Sequence, residues 1–430
     1  MPWRRILARA LSALVVGTLL LVYVPTSLVG MAISALGAAA VALLAARNAA
    51  LLATTFLICT LVLELFVRMT SGSALTPYYR PHEMFALEKS YQASRQVEML
   101  VPHGDLLAID PQLDRALAQP RTVLFRTDTR GYRNDDDFDG SQQLIIVGDS
   151  FVVNDSGPQE ETLTGRLFAE HGVMAYNLGF QAGPIGYSER IEWARQEFPG
   201  ERCIVLMMFE GNDFQPADAQ VALRVAVPES LQGPVKAYVK AVVRRFELSR
   251  TMFGLRTRAA ETLAAMFSSE AAERAPPKTL LRHLGEQPIP FLAGYAEVTR
   301  RERYDDLGLI FNALESAPPD ALFFIPEKYR VYSELIEERE ELPHAQWQHL
   351  ETVARDLGIP AFDLTPAMQR RAAHLLHEGK LVYWLDDTHW NGEGASVAAQ
   401  AIVSHLRDHP REACRSAVAV PFDQAVVNEQ

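Results

Sequence analysis

The 430-residue chain is poor in cysteine and short of positive charge. Its 3 cysteines are scattered, with Cys59 in an apolar block, Cys203 in the run CIVLMMF and Cys414 in a polar tail. That usage excludes the cysteine-dense scaffold of small secreted domains and argues against a disulfide framework. Lys and Arg total 41 against 53 Asp and Glu, a formal net charge of −12. A nucleic-acid binder would carry a basic footprint, so nucleic acid is not an expected partner. No repeat or low-complexity tract interrupts the chain, and with 48% hydrophobic residues it can bury a full core.

Charge is also missing locally. Residues 1–68 carry little beyond Arg4, Arg5, Arg9, Arg47, Glu64 and Arg68, and their apolar residues form blocks at 6–23, 28–46 and 49–67. Each block is about as long as a membrane-crossing helix, roughly 20 residues, which predicts an N-terminal transmembrane anchor of three helices in the lipid bilayer. A cleaved signal peptide fits less well, because its apolar region is shorter and further apolar blocks should not follow. The early arginines and Arg47 place the N-terminus and the second turn on the cytoplasmic side of an inner or plasma membrane. Three spans then direct the rest of the chain to the periplasm or exterior, whereas two spans would leave it in the cytoplasm.

Residues 69–120 read as a linker or preceding segment with a helix around 83–99. From 121 to 410 short β-branched runs alternate with amphipathic stretches. The runs are LIIV (144–147), VMAYNLG (173–179), CIVLMMF (203–209), ALFFI (321–325) and PAFDL (360–364). Doubly buried strands alternating with helices predict an α/β fold with a central parallel sheet. Residues 215–300 interrupt the rhythm as a helical insertion, and 411–430 form a tail. Within the insertion Val235, Val239, Val242, Val243 and Phe246 make an apolar stripe beside Lys236, Lys240, Arg244 and Arg245. Such a helix either covers the domain, rests on anionic lipid or lines a groove for an acidic polymer.

The chemistry gathers where strands end. LIIV runs into Gly148-Asp149-Ser150, which presents the Ser150 hydroxyl at the carboxyl end of a buried strand, where ligands of open parallel sheets bind. A serine needs a base, and the base needs an acid to orient it. Of 11 histidines, His389 stands apart, following two aspartates in WLDDTHWNGEG after an apolar run. Asn212, after CIVLMMF, can aim an amide at the same crevice, and Gly179, after VMAYNL, can bring a backbone N–H close. Trp384 and Trp390 either pack around the loop or stack on a sugar ring.

These blocks resemble the SGNH, or GDSL-type, hydrolase superfamily, named for a Ser, Gly, Asn and His in separate sequence blocks. The resemblance covers about 121–410 and matches Ser150, Gly179, Asn212 and the Asp386 to His389 segment. It implies a flavodoxin-like three-layer sandwich, no metal or cofactor, and acyl-ester chemistry through an acyl-serine, with Ser150, Gly179 and Asn212 as the oxyanion hole. Two departures stand out. Glu210 occupies the first glycine position of the usual Gly-x-Asn-Asp block. The family's Asp-x-x-His spacing selects Asp386, whereas the DTHWN wording is similar to the Asp-x-His of alginate O-acetyltransferase-like proteins and selects Asp387. Those proteins place the pair before the serine, and here it follows.

The resemblance and the outward-facing anchor imply an esterase or O-acetyltransferase acting on an envelope or exported polysaccharide, in company with polysaccharide-synthesis machinery. Two rivals remain at this point. One is a non-catalytic glycan-binding or assembly subunit, supported by the altered third block. The other is a lipid-directed esterase, supported by the basic stripe.

Overall fold

Every residue of Cys203–Phe209 is buried, because its strand has helices over both faces. The computed structural model describes residues 93–110, 112–180, 183–214, 277–304 and 308–419, together with Val62 and Tyr91. Apart from Val62, the apolar blocks of the expected anchor lie outside the described residues, as does the basic stripe at 235–246. Among the described residues no helix is long and apolar enough to cross a membrane.

The chain order begins β1 (Gln96–Val101), α1 (Asp105–Ile109), β2 (Arg121–Arg126), β3 (Leu144–Gly148), α2 (Ser150–Val153), α3 (Leu163–His171) and β4 (Ala175–Gly179). It continues through α4 (Pro184–Glu197), β5 (Cys203–Phe209), β6 (Thr279–Leu284), β7 (Gln287–Leu292), α5 (Ala293–Thr299) and α6 (Gly308–Ser316). It closes with β8 (Ala321–Ile325), α7 (Lys328–Tyr332), α8 (Ala345–Asp356), β9 (Ala361–Asp363), α9 (Thr365–Leu376), α10 (Gly392–Leu406) and α11 (Glu412–Val418).

A 5-stranded parallel sheet forms the centre, in the order β4-β3-β5-β8-β9. Strand residues alternate between its faces. Leu144, Ile146, Val205 and Met207 pack on one side with α3, α9 and α10. Ile145, Val147, Leu206 and Met208 pack on the other with α4, α6 and α8. Each such side chain contributes roughly 1.5–3 kcal/mol on burial, so the two apolar layers, and not hydrogen bonding alone, fix the register. The chain runs β3, β4, β5, but β4 and β5 lie on opposite sides of β3. The loops therefore part beyond the carboxyl end of β3 and open a crevice there.

Four expectations need correction. The 69–120 segment is not a plain linker: β1 pairs antiparallel with β2, from Gln96↔Arg126 to Val101↔Arg121. Over residues 96–99 the strand takes the place of the end of the helix expected around 83–99, since cross-strand contacts outweigh local propensity there; residues 83–90 lie outside the described ones. The described end of the 215–300 insertion is not purely helical, because β6 and β7 form an antiparallel hairpin ahead of α5. Finally, Cys203 and Cys414 form a disulfide with Cα atoms 4.7 Å apart, across a sequence separation of 211. Their distance along the chain hid the pair. The bond ties α11, within the expected tail, to the first residue of β5, and constraining so long a loop contributes about 2–5 kcal/mol.

Candidate active site

Gly148 ends β3 and Asp149 caps α2, its carboxylate accepting the Phe151 N–H at 2.9 Å. Burial raises the Asp149 pKa to about 6. Ser150 is the first helical residue, so its backbone N–H belongs to the turn whose donors lack an intrahelical acceptor. The positive end of the helix backs the hydroxyl.

The loop between α9 and α10 brings His389 to this serine across 239 residues of sequence, with Nε2 2.8 Å from Ser150 Oγ. The other ring nitrogen, Nδ1, lies 2.7 Å from Asp387 Oδ1. An ionised carboxylate only accepts, so Nδ1 donates and Nε2 is left to receive the serine proton. Burial alone would raise the Asp387 pKa, but the His389 hydrogen bond and charge, with Arg121, outweigh it and hold the group well below the usual carboxylate range. For His389 burial works downward, and the same Asp387 contact reverses it, leaving the imidazole well above its ordinary value. Phe151 packs against the imidazole, ring centroids 4.9 Å apart, and against Trp390 at 5.1 Å.

Asp386 does something else. Its oxygens accept Gly104 N at 2.7 Å, Gln119 N at 2.9 Å and Arg121 Nη1 at 3.2 Å, with the side chain fully buried. A side chain at Gly104 would put its Cβ 2.3 Å from the Asp386 carbonyl oxygen, so only glycine lets the segment approach. The structure thus joins Ser150 to His389 and Asp387, and directs Asp386 to the 104–121 segment.

The oxyanion candidates divide as well. Asn212 sits in the turn after β5, partly exposed, its Oδ1 buried without a hydrogen bond among the described residues. The Gly179 N–H, expected to face the crevice, donates instead to Asn177 Oδ1 at 2.9 Å. Asn177 Nδ2 donates to Val152 O at 2.8 Å, which draws β4 against α2. Glycine is needed at 179 because a Cβ there would lie 2.7 Å from Val153 N.

Sequence reasoning missed the groups that hold the loop. Arg121, at the start of β2, donates Nη2 to Asp387 Oδ2 at 3.0 Å while Nη1 serves Asp386, and its guanidinium lies 4.2 Å over the Trp384 ring. Ser156 Oγ donates to Asp387 Oδ2 at 3.0 Å. Lys328, fully buried just after β8, donates Nζ to the carbonyls of Trp384 at 2.9 Å, Leu385 at 2.8 Å and Asp387 at 3.1 Å. Burial lowers its pKa to about 8, against the pull of Asp387 and Glu327. The lysine had a signal: a charged residue directly beyond a fully apolar strand. Arg121 had none, since its partners lie 265 and 266 residues away. Trp390 is fully buried and Trp384 lies under Arg121, so both indoles pack the loop.

Residues 320–428 match the family model described as the SGNH hydrolase-like domain of the acetyltransferase AlgX. That stretch contains Lys328 and Asp386 to His389 but not Ser150. No curated protein matches the chain. Of the solved structures that match, one is 16% identical and covers 64% of this chain and 100% of its own, with a TM-score of 0.29, a superposition too loose to carry an argument. Over residues 320–428 the chain is thus similar to the SGNH hydrolase-like, alginate O-acetyltransferase type of domain, the family that its serine, asparagine and histidine blocks resemble.

Proposed function

We propose that this chain is a membrane-anchored serine esterase or O-acyltransferase of SGNH type, acting on ester groups of an envelope or exported polysaccharide. The observation that carries the reading is the relay from Ser150 through His389 to Asp387, at 2.8 and 2.7 Å. Ser150 Oγ attacks the ester carbonyl and its proton passes to His389 Nε2. Asp387 fixes the tautomer and offsets the imidazolium charge. The Ser150 N–H and the Asn212 amide face the developing oxyanion, and His389 returns the proton to the leaving alcohol. Water releases the acyl group in an esterase, and a sugar hydroxyl takes it in a transferase.

The fold agrees with this chemistry, since the strand order is that of flavodoxin-like sandwiches, with Ser150 at the switch point. The similarity to an acetyltransferase domain supports an acetyl group as the acyl unit. The anchor expected from residues 1–68 and the Cys203–Cys414 disulfide both favour the periplasm or exterior, where disulfides persist. The non-catalytic alternative leaned on Glu210. That residue is now accounted for by its pairing with Arg330.

The test is labelling of the full-length protein by a fluorophosphonate, together with cleavage of a simple acetyl ester. Both should occur in the wild type and vanish in Ser150→Ala. A folded wild type that shows neither overturns the reading. Supplying an acetyl donor with a glycan acceptor and weighing the glycan separates transfer from hydrolysis.

A further inference from the structure

Asp105 opens α1, in the segment read from sequence as linker, 283 residues before the loop it touches. Its Oδ1 accepts the Thr388 N–H at 2.8 Å and its Oδ2 accepts the Thr388 hydroxyl at 2.5 Å. The same Oδ2 lies 3.8 Å from His389 Nδ1, the atom that Asp387 holds at 2.7 Å. The Asp105 backbone N–H donates to Asp387 Oδ2 at 3.2 Å. One residue therefore grips both neighbours of the imidazole, Thr388 with its side chain and Asp387 with its main chain.

We propose that Asp105 is a positioning residue for His389, fixing Thr388 and placing a second carboxylate beside the imidazolium that forms when Ser150 gives up its proton. The inference rests on the relay proposed above and adds a component to it. The base is then flanked by two acids from opposite ends of the chain, and its strength depends on docking of the 104–121 segment.

The other charges near the ring are accounted for. Asp387 holds it directly, Asp155 from the loop after α2 raises its pKa further, and Asp149 before Ser150 interacts with it. Arg121 is engaged with Asp387 and Asp386, and Lys328 reaches the Asp387 carbonyl. Neither cation replaces the charge that Asp105 contributes. Desolvation within the site and the Asp387 charge raise the Asp105 pKa to about 7, so the second charge develops as pH rises through neutral and is present on the alkaline side, where His389 titrates. The side chain is 34% exposed, so water screens the interaction. At this separation a screened unit charge shifts a neighbouring titration by on the order of one pH unit.

The experiment is an NMR titration of the His389 ring in the full-length protein in detergent, with labelled histidine and His389→Gln to assign the signal. Asp105→Asn keeps an acceptor for Thr388 N but removes the charge. Its His389 midpoint should fall by on the order of one unit, and the acid limb of the fluorophosphonate labelling rate should move down with it. Asp105→Glu should stay near the wild-type midpoint. An unchanged midpoint in folded Asp105→Asn, or equal falls in both variants, overturns the proposal. Should Asp105→Asn fail to fold, Thr388→Val removes the hydroxyl that holds Oδ2 beside the ring, and a smaller downward shift is expected; an unchanged midpoint there overturns the proposal. The titration needs no turnover. A shift without ester cleavage sinks the enzymatic reading alone, whereas cleavage without a shift sinks only the role of Asp105.

Discussion

Arg330 holds Glu210 through Nε at 2.8 Å to each carboxylate oxygen, with the two side chains 3% and 0% exposed. Glu210 also accepts the Glu327 N–H at 2.9 Å, so the residue that stands where the resembled block has glycine ties the end of β5 to the turn carrying Lys328. Restoring the glycine should therefore harm the protein. Glu210→Gly strands the Arg330 charge in the interior, and breaking a buried pair in this way costs about 3–5 kcal/mol. Denaturant unfolding should show that loss, and Glu210→Gly with Arg330→Met should recover much of it. A single variant as stable as wild type would refute the structural role.

The two adjacent aspartates should separate cleanly. Asp387→Asn removes the charge that offsets the imidazolium and lets an amide N–H face His389 Nδ1, favouring the wrong tautomer, and should lower kcat/KM for an acetyl ester by about a thousandfold or more. Asp386→Asn weakens contacts to Gly104, Gln119 and Arg121, and should cost stability more than rate. A larger rate loss at Asp386 would reverse the assignment.

Lys328→Met nearly preserves volume but leaves the carbonyls of Trp384, Leu385 and Asp387 unmet in a buried place. A penalty of about 1–3 kcal/mol is expected for buried acceptors left this way. The labelling rate of Ser150 should fall as well, because the loop carrying His389 loses its anchor. A variant with reduced stability but an unchanged rate would show that the lysine supports the fold and not the site.

Stability and activity should diverge with pH. The Asp387 pKa is depressed, so its contribution is present above the unfolded value near ~4 and is lost as pH falls through the folded value. The His389 pKa is raised, so its contribution is full below the unfolded value near ~6.5 and is lost as pH rises through the folded one. The pair stabilises most between these limits. The base needs a neutral imidazole, so the labelling rate should climb on the alkaline side while the pair's stabilisation declines. Unfolding midpoints and labelling rates measured across the same pH series, with Asp387→Asn as reference, check both trends.

Much of this molecule is local in sequence. The strands at 144–148, 175–179, 203–209, 321–325 and 361–363 fall on the apolar runs, and the three inner ones, 144–148, 203–209 and 321–325, are buried throughout, because burial on both faces demands uninterrupted hydrophobic residues. Ser150 was visible for a related reason: strand ends in a parallel sheet converge on one edge, so a polar residue directly after an apolar strand is a candidate for chemistry, whereas His389 was visible through the two aspartates before it, in a loop between helices.

What lay beyond reach was every contact between distant segments. Spacing left Asp386 and Asp387 equivalent, and only the direction of the loop decides that one carboxylate meets the imidazole while its neighbour meets Arg121 and Gly104. The Cys203–Cys414 bond, the Glu210–Arg330 pair and the reach of Asp105 to Thr388 follow the same rule. The sequence by itself determined which residues strands and turns would present. Tertiary structure alone decided which of them touch, because hydrophobic periodicity carries the burial of a face and no information about which polar group stands opposite it.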